Sequence, residues 1–154
     1  MCIRDRGRGV VVDATGLPPK APITREFLEK ALSGTGVDSG WVVLIMTGYD
    51  SKAGTPEWFN HPGLDESGAK YLADLNINAV GIDAPSIDQS PFPGHLNLLP
   101  KRIVIYENLT NLKELVGKKF TFYGFPLRIT SGSASPVRAL AILEPGGGLS
   151  LIHI

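Results

Sequence analysis

The stretch Trp41-Val42-Val43-Leu44-Ile45-Met46 is a continuous apolar run, and glycines bound it at positions 40 and 48. Six residues are a typical strand length, and an apolar run without polar alternation is expected where a strand is covered on both faces. Strands of this kind lie inside sheets that carry further layers on each side. The run therefore predicts the central strand of a buried sheet.

The segments around this run predict further strands and two helices. One helix begins after Thr24 as N-cap and spans 25–32, and the second begins after Asp65. A short helical turn is predicted over 109–115, and the proline- and serine-rich residues 83–100 are predicted to form a surface loop. The remaining predicted strands are 10–12, 79–82, 103–106, 120–125 and 137–143. Because β-α-β crossovers alternate with consecutive strands, we expect one α/β domain with a mixed sheet and flanking helices.

Two residues in and after the predicted loop have the chemistry of metal ligands. His95 lies in the loop, and Glu107 follows the next predicted strand, twelve positions later. That spacing lets the chain leave one ligand, turn, and return along a strand, so that imidazole nitrogen and carboxylate oxygen meet at a divalent ion. In the alternative interpretation, His95 bonds a loop carbonyl and Glu107 caps the following turn. A mononuclear zinc site needs three or four ligands, so this pair alone leaves both interpretations open.

Three other polar residues each allow two interpretations. His61 either lines a pocket with Trp58 and Phe59 or is a surface histidine that opens a turn, and its turn-forming neighbours favour the surface position. Asp83 and Asp88 are either a carboxylate pair for acid–base chemistry or acceptors that shape their loop through backbone hydrogen bonds. We favour the second interpretation, which is the common role of aspartate in turns.

Composition and motifs argue against several classes of function. The 154 residues carry 15 basic and 15 acidic side chains, which gives no electrostatic footprint for nucleic acid or an anionic membrane. No apolar run approaches the roughly 20 residues of a membrane helix. The glycine-rich residues 33–40 fail the spacing of a dinucleotide-binding loop, and Ser86 has no glycine elbow around it. The expected partner is a small molecule.

The two ends of the chain, MCIRDR (1–6) and LSLIHI (149–154), can be read from one short DNA element. One codon choice for the first is ATG TGT ATA AGA GAC AG, and its reverse complement, CTG TCT CTT ATA CAC AT, encodes Leu-Ser-Leu-Ile-His and begins an Ile codon. This element resembles the adapter of transposase-based sequencing libraries. We therefore predict that both ends, including the sole cysteine Cys2, are adapter-derived, and that 7–148 is a single domain.

A series of short motifs runs in order through this domain. They are Val12-Asp13-Ala14-Thr15-Gly16, Leu44-Ile45-Met46-Thr47-Gly48-Tyr49-Asp50, His61-Pro62-Gly63-Leu64, Val80-Gly81-Ile82-Asp83-Ala84-Pro85-Ser86-Ile87-Asp88, His95, Glu107-Asn108-Leu109-Thr110-Asn111-Leu112, Pro126-Leu127-Arg128-Ile129 and Ser135-Pro136-Val137-Arg138-Ala139. Together they resemble the cyclase family, the metal-dependent hydrolases that include bacterial kynurenine formamidase and isatin hydrolase. The resemblance covers nearly all of 7–144 without large gaps.

The resemblance implies a swivelling β/β/α fold and a site for Zn or Mn, often binuclear, with His95 and Glu107 at the positions of two ligands. The family's other ligands and its catalytic histidine come from an upstream His-x-Gly-Thr-His-x-Asp-x-Pro-x-His motif, which this sequence lacks. The chain is therefore expected to be the C-terminal portion of a longer enzyme, without a catalytic residue of its own. Alone, it is expected to be inactive.

For the whole enzyme, the resemblance implies hydrolysis of an aryl formamide such as N-formylkynurenine, in tryptophan catabolism, or of a related cyclic amide, by metal-activated water. Trp58, Phe59 and Ser86 are candidates for the substrate pocket. A cytoplasmic homo-oligomer is expected. The alternative is a non-catalytic member of the same fold that binds a small molecule.

Overall fold

A seven-stranded mixed sheet forms the centre of the protein in the computed structural model, which describes residues 4–143 and 150–154. The strands are β1 (Arg6–Asp13), β2 (Pro22–Ile23), β3 (Val42–Met46), β4 (Gly63–Leu64), β5 (Ala79–Ile82), β6 (Val104–Tyr106), β7 (Phe120–Pro126), β8 (Val137–Leu143) and β9 (Leu151–His153). The helices are α1 (Arg25–Leu32), α2 (Glu66–Asp74) and α3 (Pro93–Leu98), with 3₁₀ turns at Tyr49–Lys52, Pro56–Asn60, Leu99–Lys101 and Leu112–Leu115. This arrangement confirms the predicted α/β fold with a mixed sheet.

Strand β3 lies inside the sheet, as the apolar run predicts. The strand order is β6-β5-β3-β1-β7-β8-β9. The first four strands in this order, β6 to β1, pair in parallel. The last three, β7, β8 and β9, continue the sheet from β1 with antiparallel pairing. Strands β2 and β4 form a separate parallel pair.

Every residue of β3 is buried because packed layers cover both faces of the sheet. On one face, Val43 and Ile45 belong to a core shared with Leu28 of α1 and Leu72 of α2. On the other face, alternate β3 residues pack in a second core. Its members outside β3 include Tyr106, Leu112, Leu115, Phe120 and Phe122. The strand therefore lacks polar alternation, since neither side meets water.

The two predicted helices begin where their capping residues indicate. The Thr24 hydroxyl accepts a hydrogen bond from the Phe27 backbone N–H, and the Asp65 carboxylate accepts one from the Gly68 N–H. Each cap satisfies a donor that the first helical turn would otherwise leave unpaired. Among the residues that the structure describes, no helix has the length and hydropathy of a membrane span.

The prediction of a surface loop over 83–100 is wrong in two respects. The second half forms α3 and the 3₁₀ turn that follows it, with Pro93 at the first helical position, where its missing N–H costs nothing. The first half is largely buried, including the apolar Ile87 and the acidic Asp83 and Asp88. Proline and serine are typical of exposed loops, but hydrogen bonds within the protein allow Asp83 and Asp88 to be buried here.

The sheet curls so that its β6 edge approaches β7. The Tyr106 hydroxyl at the end of β6 donates a hydrogen bond of 3.1 Å to the Gly124 carbonyl in β7, although three strands separate the two in the sheet. A side chain at Gly124 would collide with the Tyr106 ring. The close approach therefore depends on glycine at that position.

Both predicted adapter segments contribute residues to the sheet. Arg6 begins β1, and Leu151–His153 forms β9 as an edge strand on β8. Backbone hydrogen bonding between strands needs no particular side chains, so native and foreign sequence can both pair in this way. The predicted boundary between 148 and 149 lies outside the described residues, and the domain boundaries stay a prediction.

Candidate metal centre

The candidate site lies beside the ends of β5 and β6, the parallel strands at one edge of the sheet. Glu107 follows β6 directly, and the turn 86–88 follows β5. His95 is carried back towards Glu107 by α3, which starts at Pro93. Carboxyl ends of neighbouring parallel strands are the usual location of sites in open α/β sheets. The fold thus brings both sequence-predicted ligands to one place.

The His95 and Glu107 side chains face each other. His95 Nε2 lies 3.6 Å from Glu107 Oε1, and the two side chains are 33% and 28% exposed. The same Glu107 oxygen accepts a hydrogen bond of 2.9 Å from the Ile87 backbone N–H. This contact fixes the carboxylate but leaves the imidazole nitrogen and the carboxylate facing a common space.

Asp88 holds His95 from the opposite side of the ring. Its Oδ1 lies 2.9 Å from His95 Nδ1, and its Oδ2 accepts a hydrogen bond of 2.9 Å from the His95 backbone N–H. Asp88 is itself buried. These contacts agree with the predicted loop-shaping role of Asp88, whereas its link to the His95 side chain was not predicted. The available signal was an aspartate seven residues before a histidine in a turn-rich segment.

Asp83 also acts through backbone contacts rather than as half of an acid–base pair. Its two oxygens accept hydrogen bonds from the Thr47 N–H, the Thr47 hydroxyl and the Gly48 N–H, at 2.7, 2.6 and 2.8 Å. Burial raises the pKa of the Asp83 carboxyl, an effect that these hydrogen bonds oppose and the nearby Asp50 reinforces. Asp83 therefore ties the end of β5 to the end of β3.

An open cleft of about 910 Å³ adjoins the pair. His95, Glu107 and Tyr106 line it, as do Leu127 and Ile129. A volume of this size is within the roughly 300–1,000 Å³ typical of small-molecule sites. Residues of both chain ends, Asp5 and Ile154, also line the cleft.

A smaller cavity of about 280 Å³ lies beside the cleft, and Asn108 and Leu109 line both. Trp58 and Asp83 are among its other lining residues. The buried indole nitrogen of Trp58 has no hydrogen-bond partner within the described part of the chain. A substrate-binding role for Trp58 stays a prediction.

The other predicted pocket residues occupy different surroundings. Phe59 is 64% exposed and packs against the Trp58 ring, with centroids 5.8 Å apart. The Ser86 hydroxyl lies 3.4 Å from Asp88 Oδ1, where it supports the 86–88 turn. Neither residue contributes to the walls of the two cavities described above.

The favoured surface position for His61 is wrong. Its side chain is 2% exposed, packs edge-on against Tyr49, and bonds the Pro62 carbonyl through Nδ1 at 2.7 Å. Gln89 donates a hydrogen bond to the His61 carbonyl. Proline and glycine beside a histidine indicate a turn, but its burial depends on contacts with residues distant in the sequence, such as Tyr49 and Gln89.

The donor chemistry of the pair fits a divalent metal ion. Imidazole nitrogen and carboxylate oxygen suit zinc, manganese and related ions. The 3.6 Å between the two donor atoms is close to the roughly 3.4 Å separating two ligands that each lie about 2.1 Å from one tetrahedral ion. Residues 4–143 and 150–154 contain no cluster of three or more histidine, cysteine or acidic side chains that could hold a metal ion.

Comparison with known proteins places the chain in a family. Residues 5–89, more than half of the chain, match the family model described as "Putative cyclase". The chain belongs to the cyclase family. An uncharacterized protein of Methanocaldococcus jannaschii is 44% identical over 107 residues, which are 66% of this chain and 54% of that protein. Kynurenine formamidase of Polaromonas naphthalenivorans is 31% identical over 101 residues, which are 64% of this chain and 44% of the enzyme.

Solved structures of the cyclase fold superimpose closely on this chain. An isatin hydrolase bound to the product analogue thioisatinate gives a TM-score of 0.85 at 25% identity, covering 92% of this chain and 61% of that one. A potential metal-dependent hydrolase with cyclase activity gives a TM-score of 0.75 at 26% identity, covering 92% and 67%. The chain spans about half the length of the curated relatives it matches.

Proposed function

We propose that this cyclase-family chain supplies part of a metal-dependent site for amide hydrolysis, with His95 and Glu107 as two of the metal ligands. The observation that carries the proposal is the facing of His95 Nε2 and Glu107 Oε1 at 3.6 Å beside an open cleft. The remaining ligands are expected from the upstream histidine-rich motif that the sequence lacks. One or two divalent ions, zinc or manganese, would supply Lewis acidity for the hydrolysis when bound.

The proposed substrate is an aryl formamide, such as N-formylkynurenine, or a related cyclic amide. Relatives named kynurenine formamidase and isatin hydrolase support this substrate class. The cleft supports it physically, because its lining includes the apolar Leu127 and Ile129, which an aromatic ring can contact, as well as the polar pair. This chain's own residues would hold the metal and orient the substrate, while proton transfer would fall to the upstream histidine.

Calorimetric titration of Zn²⁺ and Mn²⁺ into the chelator-treated 154-residue chain tests the ligand assignment. We expect binding that weakens at least tenfold in His95→Ala, which removes the imidazole nitrogen, and in Glu107→Gln, which removes the negative charge of the carboxylate. Glu107→Gln keeps an oxygen that can accept from the Ile87 N–H, so the fold is retained. Glu114→Gln, at an exposed position of a nearby 3₁₀ turn, is the matched control and should bind like the wild type.

Hydrolysis of N-formylkynurenine tests the reaction itself. The chain extended by the upstream coding sequence of its source gene should hydrolyse this substrate, lose the activity in His95→Ala, and have none as the 154-residue chain alone. An extended protein that binds the substrate without turnover would replace this proposal with a non-catalytic binding role. Unchanged metal affinity in both ligand variants would contradict the assignment of His95 and Glu107.

A small-molecule partner, a homo-oligomeric assembly and a cytoplasmic location complete the proposal. Size-exclusion chromatography with light scattering on the extended protein measures the oligomeric state directly.

A further inference from the structure

We infer that Asp88 is a positioning residue that fixes the tautomer of His95 and presents the unprotonated Nε2 towards Glu107. The inference rests on the proposed function, because it assigns His95 a metal-binding nitrogen. It assigns a role to Asp88, which would affect the metal site only through His95. Its basis is the pair of contacts that the two Asp88 oxygens make with one residue.

The two contacts impose different requirements on Asp88. The His95 backbone N–H is always a donor, so Oδ2, at 2.9 Å, must accept from it. Oδ1, at 2.9 Å from Nδ1, is also an acceptor when the carboxylate is ionised, which places the imidazole proton on Nδ1. In the neutral ring, Nε2 then carries the lone pair that a metal needs.

The surroundings leave Asp88 little freedom to move. Its side chain is completely buried, whereas the His95 side chain is one-third exposed. Two glycines allow the close packing: an added Cβ at Gly94 would lie 2.8 Å from Asp88 Oδ2, and one at Gly63 would lie 3.0 Å from the Asp88 Cα. Packing thus holds the carboxylate against both His95 groups.

The turn that contains Asp88 also orients the second proposed ligand. The Ile87 N–H donates to Glu107 Oε1, and the neighbouring Asp88 carboxylate holds His95. One short turn after β5 therefore sets the relative orientation of both donors. A change at Asp88 should therefore alter which His95 nitrogen is free to bind a metal, and it should leave Glu107 in place.

Asp88→Asn separates positioning from packing because it preserves the shape of the side chain. Asparagine offers one acceptor oxygen and one donor NH₂ group. If the oxygen stays with the fixed backbone donor of His95, the NH₂ group faces Nδ1, which must then become the acceptor. The imidazole proton moves to Nε2, and the lone pair no longer faces Glu107.

The tautomer is measured by long-range ¹H–¹⁵N correlation spectra of the metal-free, ¹⁵N-labelled 154-residue chain at about pH 8.5, where ordinary imidazoles are neutral. His95→Ala identifies the His95 signals. We expect Nδ1-protonated His95 in the wild type, Nε2-protonated His95 in Asp88→Asn, and Zn²⁺ affinity about 10- to 100-fold weaker in the variant. Asp83→Asn is the matched control, since it alters another buried carboxylate that bonds Thr47 and Gly48, and it should keep the wild-type tautomer.

Two results would overturn the inference: a wild-type His95 already protonated on Nε2, or an Asp88→Asn protein with the wild-type tautomer. The spectra need no metal, so they also separate this inference from the proposed function. If the wild type and Asp88→Asn show the expected tautomers but the wild type binds neither Zn²⁺ nor Mn²⁺, Asp88 still positions His95 and the metal assignment fails.

Discussion

Asp83 shows how one buried carboxyl can make the stability of the protein depend on pH. Burial raises its pKa in the folded state, so ionisation is harder there than in the unfolded chain. Below the unfolded value of about 3.9, the group is neutral in both states and its contribution to stability is fully present. As the pH rises through the raised folded pKa, that contribution is lost.

We predict that Asp83→Asn, which cannot ionise, gains stability relative to the wild type as the pH rises. Urea unfolding of both proteins at several pH values between about 3.5 and 7 measures the difference in the free energy of unfolding. Asparagine also loses one of the acceptors that Thr47 and Gly48 use, which adds a pH-independent cost. The prediction therefore concerns how the difference in unfolding free energy between Asp83→Asn and the wild type changes with pH. A difference that stays constant or declines as the pH rises would refute it.

At the scale of the element, helix α2 depends on a glycine in its first turn. A Cβ at Gly68 would collide with the carbonyl oxygen of Ile23 in β2 and would lie 3.3 Å from Leu28 Cδ1 in α1. Alanine is intrinsically the better helix residue by about 1 kcal/mol. Here the close approach to a neighbouring backbone outweighs that preference.

Gly68→Ala should lower the free energy of unfolding by about 1–3 kcal/mol, the usual cost of overpacking. Chemical denaturation monitored by circular dichroism gives this value. Gly16→Ala serves as the control, because a Cβ there meets nothing within 4 Å. A Gly68→Ala protein as stable as the Gly16→Ala protein would show that α2 can shift away from β2 without cost.

At the scale of the whole molecule, the curl of the sheet is closed by a contact between strands far apart in the strand order. The Tyr106 hydroxyl of β6 bonds the Gly124 carbonyl of β7, and the two aromatic rings of Tyr106 and Phe122 lie 4.9 Å apart. The cleft runs along this closure, since Tyr106 and Gly124 both line it. The contact therefore links the stability of the fold to the shape of the candidate site.

Tyr106→Phe should cost about 1 kcal/mol, the net value of a typical hydrogen bond, while the ring contact with Phe122 is kept. Thermal and urea unfolding provide the measurement. Tyr123→Phe alters a hydroxyl on the opposite face of β7 and is expected to have a smaller effect. Equal losses of unfolding free energy in the two variants would indicate that the hydrogen bond between Tyr106 and Gly124 makes no specific contribution to stability.

The sequence predicts those elements whose signals are local. Trp41–Met46 indicates a buried strand by its composition alone, and Thr24 and Asp65 mark helix starts that the structure confirms. The prediction fails over 83–100, where prolines and serines indicate a loop but the chain forms α3 and packs inwards. It also fails for His61, because burial depends on which distant segment covers a residue.

By itself, the sequence determined the α/β class, the central strand, the helix caps and the chemical identity of His95 and Glu107 as candidate donors. These follow from short-range periodicity and from the side chains themselves. Only the tertiary structure decided that the two donors lie 3.6 Å apart, that Asp88 bonds His95 through both oxygens, and that Tyr106 reaches β7. Such contacts join residues from separate elements, so their distances depend on how the sheet curls and how the turn after β5 packs.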